Sequence, residues 1–283
     1  MPQRIFNPIS VPFMFFRNTT ENIKDSPLTP YHRHDAFEIF LFLNGNRKMC
    51  IEKSCFMCRP GDMFIISPNQ LHAGLCEEDC TYDRIVVNVK KQVLDGLSQK
   101  GVNLGECFVF ENINQIKHTN LSVSERDEII DLYEKYRRSI KAGGFGQSLL
   151  TETYITQLLI LVNRLFLSPS DKKESENLMP GLISDVMTYI HHHLAEEITL
   201  GGLAERFYFD ERYISKCFKQ HTGITIREYI FDQRIELAKR QLVQGRNVSE
   251  ACYASGFNDY ANFLRSFKKH VGVSPGRYAK LKK

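Results

Sequence analysis

No stretch of this 283-residue chain approaches the roughly 20 consecutive apolar residues that a membrane-crossing helix needs. The nearest candidate, residues 155–167, is interrupted by Gln157, Asn163 and Arg164. The opening Met1-Pro2-Gln3-Arg4-Ile5-Phe6-Asn7-Pro8 lacks the basic start, apolar centre and small-residue cleavage site of a secretory signal. A cytoplasmic protein with no membrane partner is therefore expected. No solenoid-type array with a period of about 20–50 residues runs along the chain, so a solenoid is excluded. Neither a nucleophile paired with a base nor a glycine-rich phosphate loop stands out, so no enzyme activity and no cofactor are expected. Net charge is small, +4.

Hydrophobic residues make up 42% and charged residues 25% of the chain, which is ordinary for globular protein, and the length suits two domains. The modest charge is unevenly spread. From Gly181 onward 16 Lys/Arg stand against 11 Asp/Glu, whereas the preceding residues carry 21 against 22. That skew suits an anionic partner for the C-terminal part. Six of the eight cysteines (Cys50, Cys55, Cys58, Cys76, Cys80, Cys107) lie in the N-terminal part. In an intracellular chain they are expected as reduced thiols rather than a disulfide framework. Cys55-x2-Cys58 and Cys76-x3-Cys80 have zinc-like spacing, although cysteine is also a common small buried residue.

Residues 30–120 read as short strands, among them 37–43, 63–66 and 84–89, rich in aromatic and branched residues. Asn44-Gly45-Asn46, Arg59-Pro60-Gly61-Asp62 and Ser67-Pro68-Asn69 punctuate them, a pattern that predicts a barrel or sandwich. Helical periodicity begins at Ser124, a candidate N-cap, with Ile129, Leu132, Tyr133, Tyr136 and Ile140 as an apolar stripe. After Gly143-Gly144-Phe145-Gly146, a second helix over 147–167 is apolar around much of its circumference. It can pack against the barrel or against a second subunit. Residues 168–180 read as a linker, and the rest is helical. The domains expected are 1–123, a sensing barrel with an N-terminal arm; 124–167, a helical hairpin that can dimerise; 168–180, the linker; and 181–283, a DNA-binding domain. The fold class is α+β multidomain, an antiparallel β-barrel with a helical hairpin followed by an all-α domain.

The last of these contains one motif twice. In the first copy Leu200, Leu203, Ala204 and Phe207 share a face, Tyr208-Phe209 make a turn, and Asp210 caps a helix whose Ile214, Cys217 and Phe218 face the core. Arg212, Ser215, Lys216 and Lys219 point outward. In the second, Gly256 supplies the turn, Asp259 the cap, and Phe263 and Phe267 the core. Tyr260, Ala261, Leu264, Arg265 and Lys268 point outward. Two helix-turn-helix units with basic outer faces are suited to major-groove insertion. An amphipathic helix over 226–243, about 27 Å long at 1.5 Å per residue, separates them.

These residues closely resemble the AraC/XylS family of bacterial transcription activators. The matching blocks are Leu203-Ala204, Tyr213 to Lys219, Thr222-Gly223, Arg234 with Ala238 and Leu242, Gly256-Phe257, Phe263, Phe267-Lys268-Lys269 and Gly272 to Pro275. The resemblance implies base reading by Arg212, Ser215 and Lys216 and by Tyr260, Ala261, Leu264 and Arg265; the outward Lys219, suited to a phosphate, and Lys268 complete the expected DNA-binding set. It departs at Ala251-Cys252, where Ile-Ala is usual. It also departs at the apolar Ala261 and Leu264, which suit thymine methyl contact.

Toward the N-terminus, His32-x-His34-x3-Glu38-x6-Gly45, followed by Gly61-Asp62 and Pro68-Asn69-Gln70-Leu71-His72, resembles the cupin barrel that this family often uses as a sensor. His32, His34 and Glu38 share strand parity with Phe40 and Phe42, and His72 on a neighbouring strand would complete the set. Three readings stay open: a lining for a small effector, a structural strand start, or a divalent-metal site at His32, His34, Glu38 and His72. The resemblance implies an effector-controlled activator, with a sugar or sugar derivative as effector. Its partners would be double-stranded DNA and RNA polymerase, and it would act as a homodimer. The rival reading is a cupin-type metalloenzyme, or a metal or redox sensor, carrying a DNA-binding domain.

Overall fold

Alternating strand runs fold where the turn residues divide them. The computed structural model describes residues 5–7, 9–20, 29–75, 81–99, 101–111, 115–168 and 177–281. Two units emerge, one built from Met1–Asn7, Thr29–His32 and Met179–Lys283, the other from Pro8–Leu28 and Arg33–Leu178.

The second unit holds two antiparallel sheets. In the larger, strands β1 (Phe13–Thr20), β8 (Tyr82–Val89), β3 (Phe37–Asn44), β6 (Asp62–Ile66) and β9 (Lys117–Asn120) lie side by side in that order. Registers include Phe37↔Val89, Glu38↔Ile66 and Asp62↔Asn120. The smaller contains β7 (His72–Leu75), β4 (Lys48–Ile51) and β5 (Ser54–Met57), with Cys50 opposite both Ala73 and Cys55. Among the described residues the expected barrel is thus built from two sheets. Phe40, Phe42, Phe64, Ile66 and Val86 on one face of the large sheet pack with Met49 and Ile51 of the small one.

The opposite face of the large sheet is equally apolar. Ile39, Leu41, Met63, Ile65, Ile85 and Val87 form a core with Ile129, Leu132, Tyr133 and Tyr136 of α2 (Val123–Ala142) and Leu158, Leu159 and Val162 of α3 (Gln147–Leu167). Burial on both faces explains why β3 reads as a continuous apolar run instead of an alternation. A shorter α1 (Lys91–Leu97) follows β8. Two details differ from the sequence expectation. The N-cap of α2 is Ser122, not Ser124, because Ser122 and Glu125 complete a reciprocal capping box. Ile140 lies beyond the reach of the sheet and is exposed.

The cysteine expectation also needs correction. Cys50 and Cys55 are joined in a disulfide. The β4–β5 hairpin sets the two residues opposite each other, so proximity comes from the turn and not from a metal. Cys55 is therefore unavailable as a thiolate partner for Cys58, whose buried thiol is pushed up to about 12. Cys76 and Cys80 lie outside the described residues. The edge formed by Cys55 also holds the chain at 177–178. Asn177 Oδ1 accepts from the Cys55 N–H at 2.9 Å, and the Leu178 N–H donates to the Cys55 carbonyl at 2.7 Å. Iodoacetamide labelling in denaturant without reductant should modify Cys58 and spare Cys50 and Cys55. Reduction should lower stability to urea by roughly 2 kcal/mol, the loop-closure value for so short a ring.

The first unit is helical: α4 (Gly181–His192), α5 (Leu200–Phe207), α6 (Glu211–Thr222), α7 (Ile226–Val243), α8 (Val248–Ala254), α9 (Tyr260–Val271) and α10 (Pro275–Leu281). The linker expected over 168–180 falls largely on 169–176, outside the described residues. Strand β2 (Thr29–His32) groups with this unit, and so does Phe6, whose ring lies under the Lys239 ammonium at 4.8 Å.

Candidate functional site

Each helix-turn-helix is positioned by caps that satisfy the orphan amides at its helix starts. Thr199 accepts from the Gly202 N–H ahead of α5, and Asp210 accepts from the Arg212 and Tyr213 N–H groups ahead of α6. The turn between them passes through Tyr208, a left-handed residue at φ 61°. In the second copy Asn247 and Glu250 form a capping box on α8, Gly256 turns at φ 83°, and Asp259 caps α9. Between the copies α7 starts at a Thr225–Glu228 capping box and carries a buried face of Ile235, Ala238 and Leu242. Arg234 fixes α7 to the end of the α4 segment, donating from Nε to the Leu194 carbonyl at 2.9 Å and from Nη2 to the Glu196 carbonyl at 2.6 Å.

The outer faces of α6 and α9 can be aligned through their buried phenylalanines and Ile214. Ile214 matches Phe263, and Phe218 matches Phe267. Arg212 then corresponds to Ala261, Lys216 to Arg265 and Lys219 to Lys268. Arg212, Lys216 and Lys219 are exposed and Ser215 is half-buried; Tyr260, Ala261, Arg265 and Lys268 are exposed. Leu264, expected to point outward, is half-buried and packs at the rim of the core made by Ile235, Leu242, Phe263 and Phe267. The first copy thus offers three cations along one stripe and the second two. Sequence reasoning missed Tyr213, exposed and stacked on Phe209 at 5.3 Å. It also missed Asn262, an exposed amide at the matching position of α9. The register of the internal repeat was the signal that could have found both.

In the other unit, His34, Glu38 and His72 of the motif meet. His34, Glu38 and His72 are all buried. His34 Nε2 lies 2.9 Å and His72 Nε2 3.8 Å from Glu38 Oε2, and the two rings are 5.0 Å apart. His34 Nδ1 faces the Ala36 carbonyl at 3.0 Å and His72 Nδ1 the Gln70 carbonyl at 2.9 Å. A carbonyl only accepts, so both Nδ1 atoms carry protons. On the other side of its ring, His34 Nε2 is hydrogen-bonded to the Glu38 carboxylate. His32 stands on β2, grouped with the helical unit, and its Nδ1 faces the Pro30 carbonyl at 3.0 Å.

The family described as an AraC-like ligand binding domain matches residues 20–159, and that described as a helix-turn-helix domain matches residues 203–281. The chain belongs to the AraC/XylS family of transcription regulators. "Probable transcriptional regulator LumQ" of Photobacterium leiognathi is 25% identical over 88% of this chain and 91% of its own. The "Uncharacterized HTH-type transcriptional regulator YdeC" of Bacillus subtilis is 26% identical over 93% and 90%. Among solved structures, the C-terminal domain of AraT, a response regulator from Geobacillus stearothermophilus, is 26% identical. It covers 37% of this chain and 88% of its own, with a TM-score of 0.36. This AraC/XylS-type chain is accordingly a DNA-binding transcription regulator with a ligand-binding domain. No helix among its described residues is long and apolar enough to cross a membrane.

Proposed function

We propose that this regulator is a cytoplasmic transcription activator whose DNA binding is controlled by a small polar effector, a sugar or sugar derivative, held in the N-terminal sheet domain. The observation that carries the reading is the buried His34–Glu38–His72 cluster. It sets a carboxylate and two imidazoles beside an otherwise aromatic interior, polar groups of the kind by which a pocket orients hydroxyl groups. His32 stays in the effector set on the strength of the sequence pattern. On the DNA side, Arg212, Ser215 and Lys216, with Tyr260, Ala261, Leu264 and Arg265, read bases, and Lys219 and Lys268 hold phosphates. The exposed Asn262 adds an amide suited to adenine. The chain acts as a homodimer and recruits RNA polymerase. Ile140, Phe145, Leu149 and Leu150, exposed where α2 meets α3, supply apolar surface for a second copy.

A second reading has support in the same geometry. Imidazoles whose Nδ1–H is pinned by a backbone carbonyl are oriented as metal ligands commonly are, so His34, His72 and Glu38 could together take a divalent transition metal. One experiment separates the two. His34→Ala and Glu38→Gln, assayed in a reporter strain and by elemental analysis, should abolish the effector response while basal DNA binding persists and metal content stays far below one per chain. Near-stoichiometric metal that disappears with His34→Ala, along with thermal stability, would replace the effector lining with a metal centre. An intact response in both variants would remove the cluster from signalling altogether.

A further inference from the structure

Two guanidiniums in the N-terminal sheet domain lie beside one aromatic ring with no counter-ion among the described residues. Arg47, in the turn between β3 and β4, is only 5% exposed. Its Cζ lies 4.2 Å from the centre of the Tyr82 ring, and its Nη1 donates to the Gly74 carbonyl at 3.0 Å. Its buried Nε has no acceptor among the described residues. Arg84 follows Tyr82 by two positions on β8 and so shares its face. Its Cζ lies 4.3 Å from the same ring centre, and its buried Nη1 also lacks an acceptor among the described residues.

Among the described residues, the acids that could neutralise the pair are committed elsewhere. Asp83 points to the opposite face, where it accepts from Arg17 Nη2 at 2.6 Å and from the Thr19 hydroxyl at 3.1 Å. Asp62 accepts from Asn120 Nδ2 and the Arg59 N–H and pairs with His118, and Glu38 is engaged with His34. The two other ionisable neighbours bring no negative charge. Burial pushes the Tyr82 phenol far up, and it pushes the Cys58 thiol up to about 12. A ring face repays only part of what two desolvated cations lose. Such a pair is complete when an oxyanion lies across the guanidinium forks.

We infer that Arg47 and Arg84 form an anion subsite of the sheet domain, which takes the carboxylate or phosphate group of an acidic effector. The inference rests on the effector reading above and narrows it to an acidic sugar derivative, a sugar acid or a sugar phosphate ester. In the β3–β8 register Arg84 lies opposite Phe42 whereas Glu38 lies opposite Asn88, so the subsite is at the other end of the inward face from the histidine cluster. Hydroxyl recognition and charge recognition are thereby separated.

The test uses the full-length protein without DNA, so its outcome does not depend on any transcriptional response. Thermal unfolding is followed at fixed ionic strength while sodium chloride is replaced by sodium acetate or by sodium phosphate, for wild type, Arg84→Gln and Arg47→Gln. The basic C-terminal unit attracts phosphate in every variant, so the readout is the difference between variants. Wild type should show a saturable rise in Tm. Either substitution should weaken it by about tenfold or more, as expected for lost charge-assisted hydrogen bonds. In chloride, Arg84→Gln should unfold no lower than wild type, because it removes an uncompensated charge. A response to acetate assigns a carboxylate, and a response to phosphate alone assigns a phosphate ester. Equal responses of wild type and both variants to both anions, or a Tm in chloride that falls on removing Arg84, would overturn the assignment. Those results would mean that a carboxylate of the chain already neutralises the pair. Loss of the transcriptional response in Glu38→Gln with anion binding intact would leave the effector reading standing beside it.

Discussion

Gly256→Ala should destabilise the helical unit by about 2–5 kcal/mol, the cost of forcing a side chain into left-handed backbone together with the cost of overpacking. Gly256 turns the second helix-turn-helix at φ 83°, and a Cβ there would collide with the Leu194 carbonyl and approach Arg234 Nε to 2.8 Å. Those two atoms are hydrogen-bonded to each other, so neither can yield without releasing the strap that fixes α7. Gly245 is the control. It has φ 94°, yet a Cβ there meets nothing within 4 Å, so Gly245→Ala should cost only the backbone term, about 1–2 kcal/mol. Urea unfolding of both variants distinguishes the two contributions. Equal losses at the two positions would show that the Leu194 contact is not what requires glycine at 256.

That contact illustrates which parts of the structure were legible in the sequence. Local devices were: Asp210, Asp259, the glycine turn and the 226–243 helix act over a few residues, and their residue types state their roles. The same locality explains a near miss. Ser122 and Ser124 are both acceptable caps, and only the glutamate three residues after Ser122 decides between them. Contacts across strands were not legible. The opposition of Cys50 and Cys55 depends on where the hairpin turns. Tyr82, Arg47 and Arg84 are brought together by strand pairing and a turn rather than by any motif. Leu264 was read as outward because a helical wheel cannot show how far the neighbouring core extends. In the histidine cluster, strand parity alone aligned His34 with Glu38, but the pinning of each Nδ1 on a carbonyl two residues away required the backbone.

On a duplex selected from random sequence by the wild-type protein, Arg212→Ala and Arg265→Ala should each cost about 1–3 kcal/mol, the range for a side chain that reads a base edge. The two residues stand on separate helices, each with its own cap and core, and share no partner among the described residues. Their effects should therefore add, and the double variant should lose about 2–6 kcal/mol, enough to bring specific binding close to the non-specific level. Lys219→Ala should behave differently. A phosphate contact weakens all sequences alike, and its removal should make the salt dependence shallower by about one released counterion. The asymmetry of the repeat sharpens the comparison. The stripe on α6 has Arg212 where α9 has Ala261, so the Arg212 variant should relax base preference more than the Arg265 variant. Fluorescence anisotropy against the selected duplex and single-base variants, at several salt concentrations, reads all of these quantities. If Arg212→Ala leaves the affinity unchanged while Lys219→Ala alters preference at one base, the roles proposed along α6 must be exchanged, and the helix enters the groove rotated from the orientation its exposed face suggests.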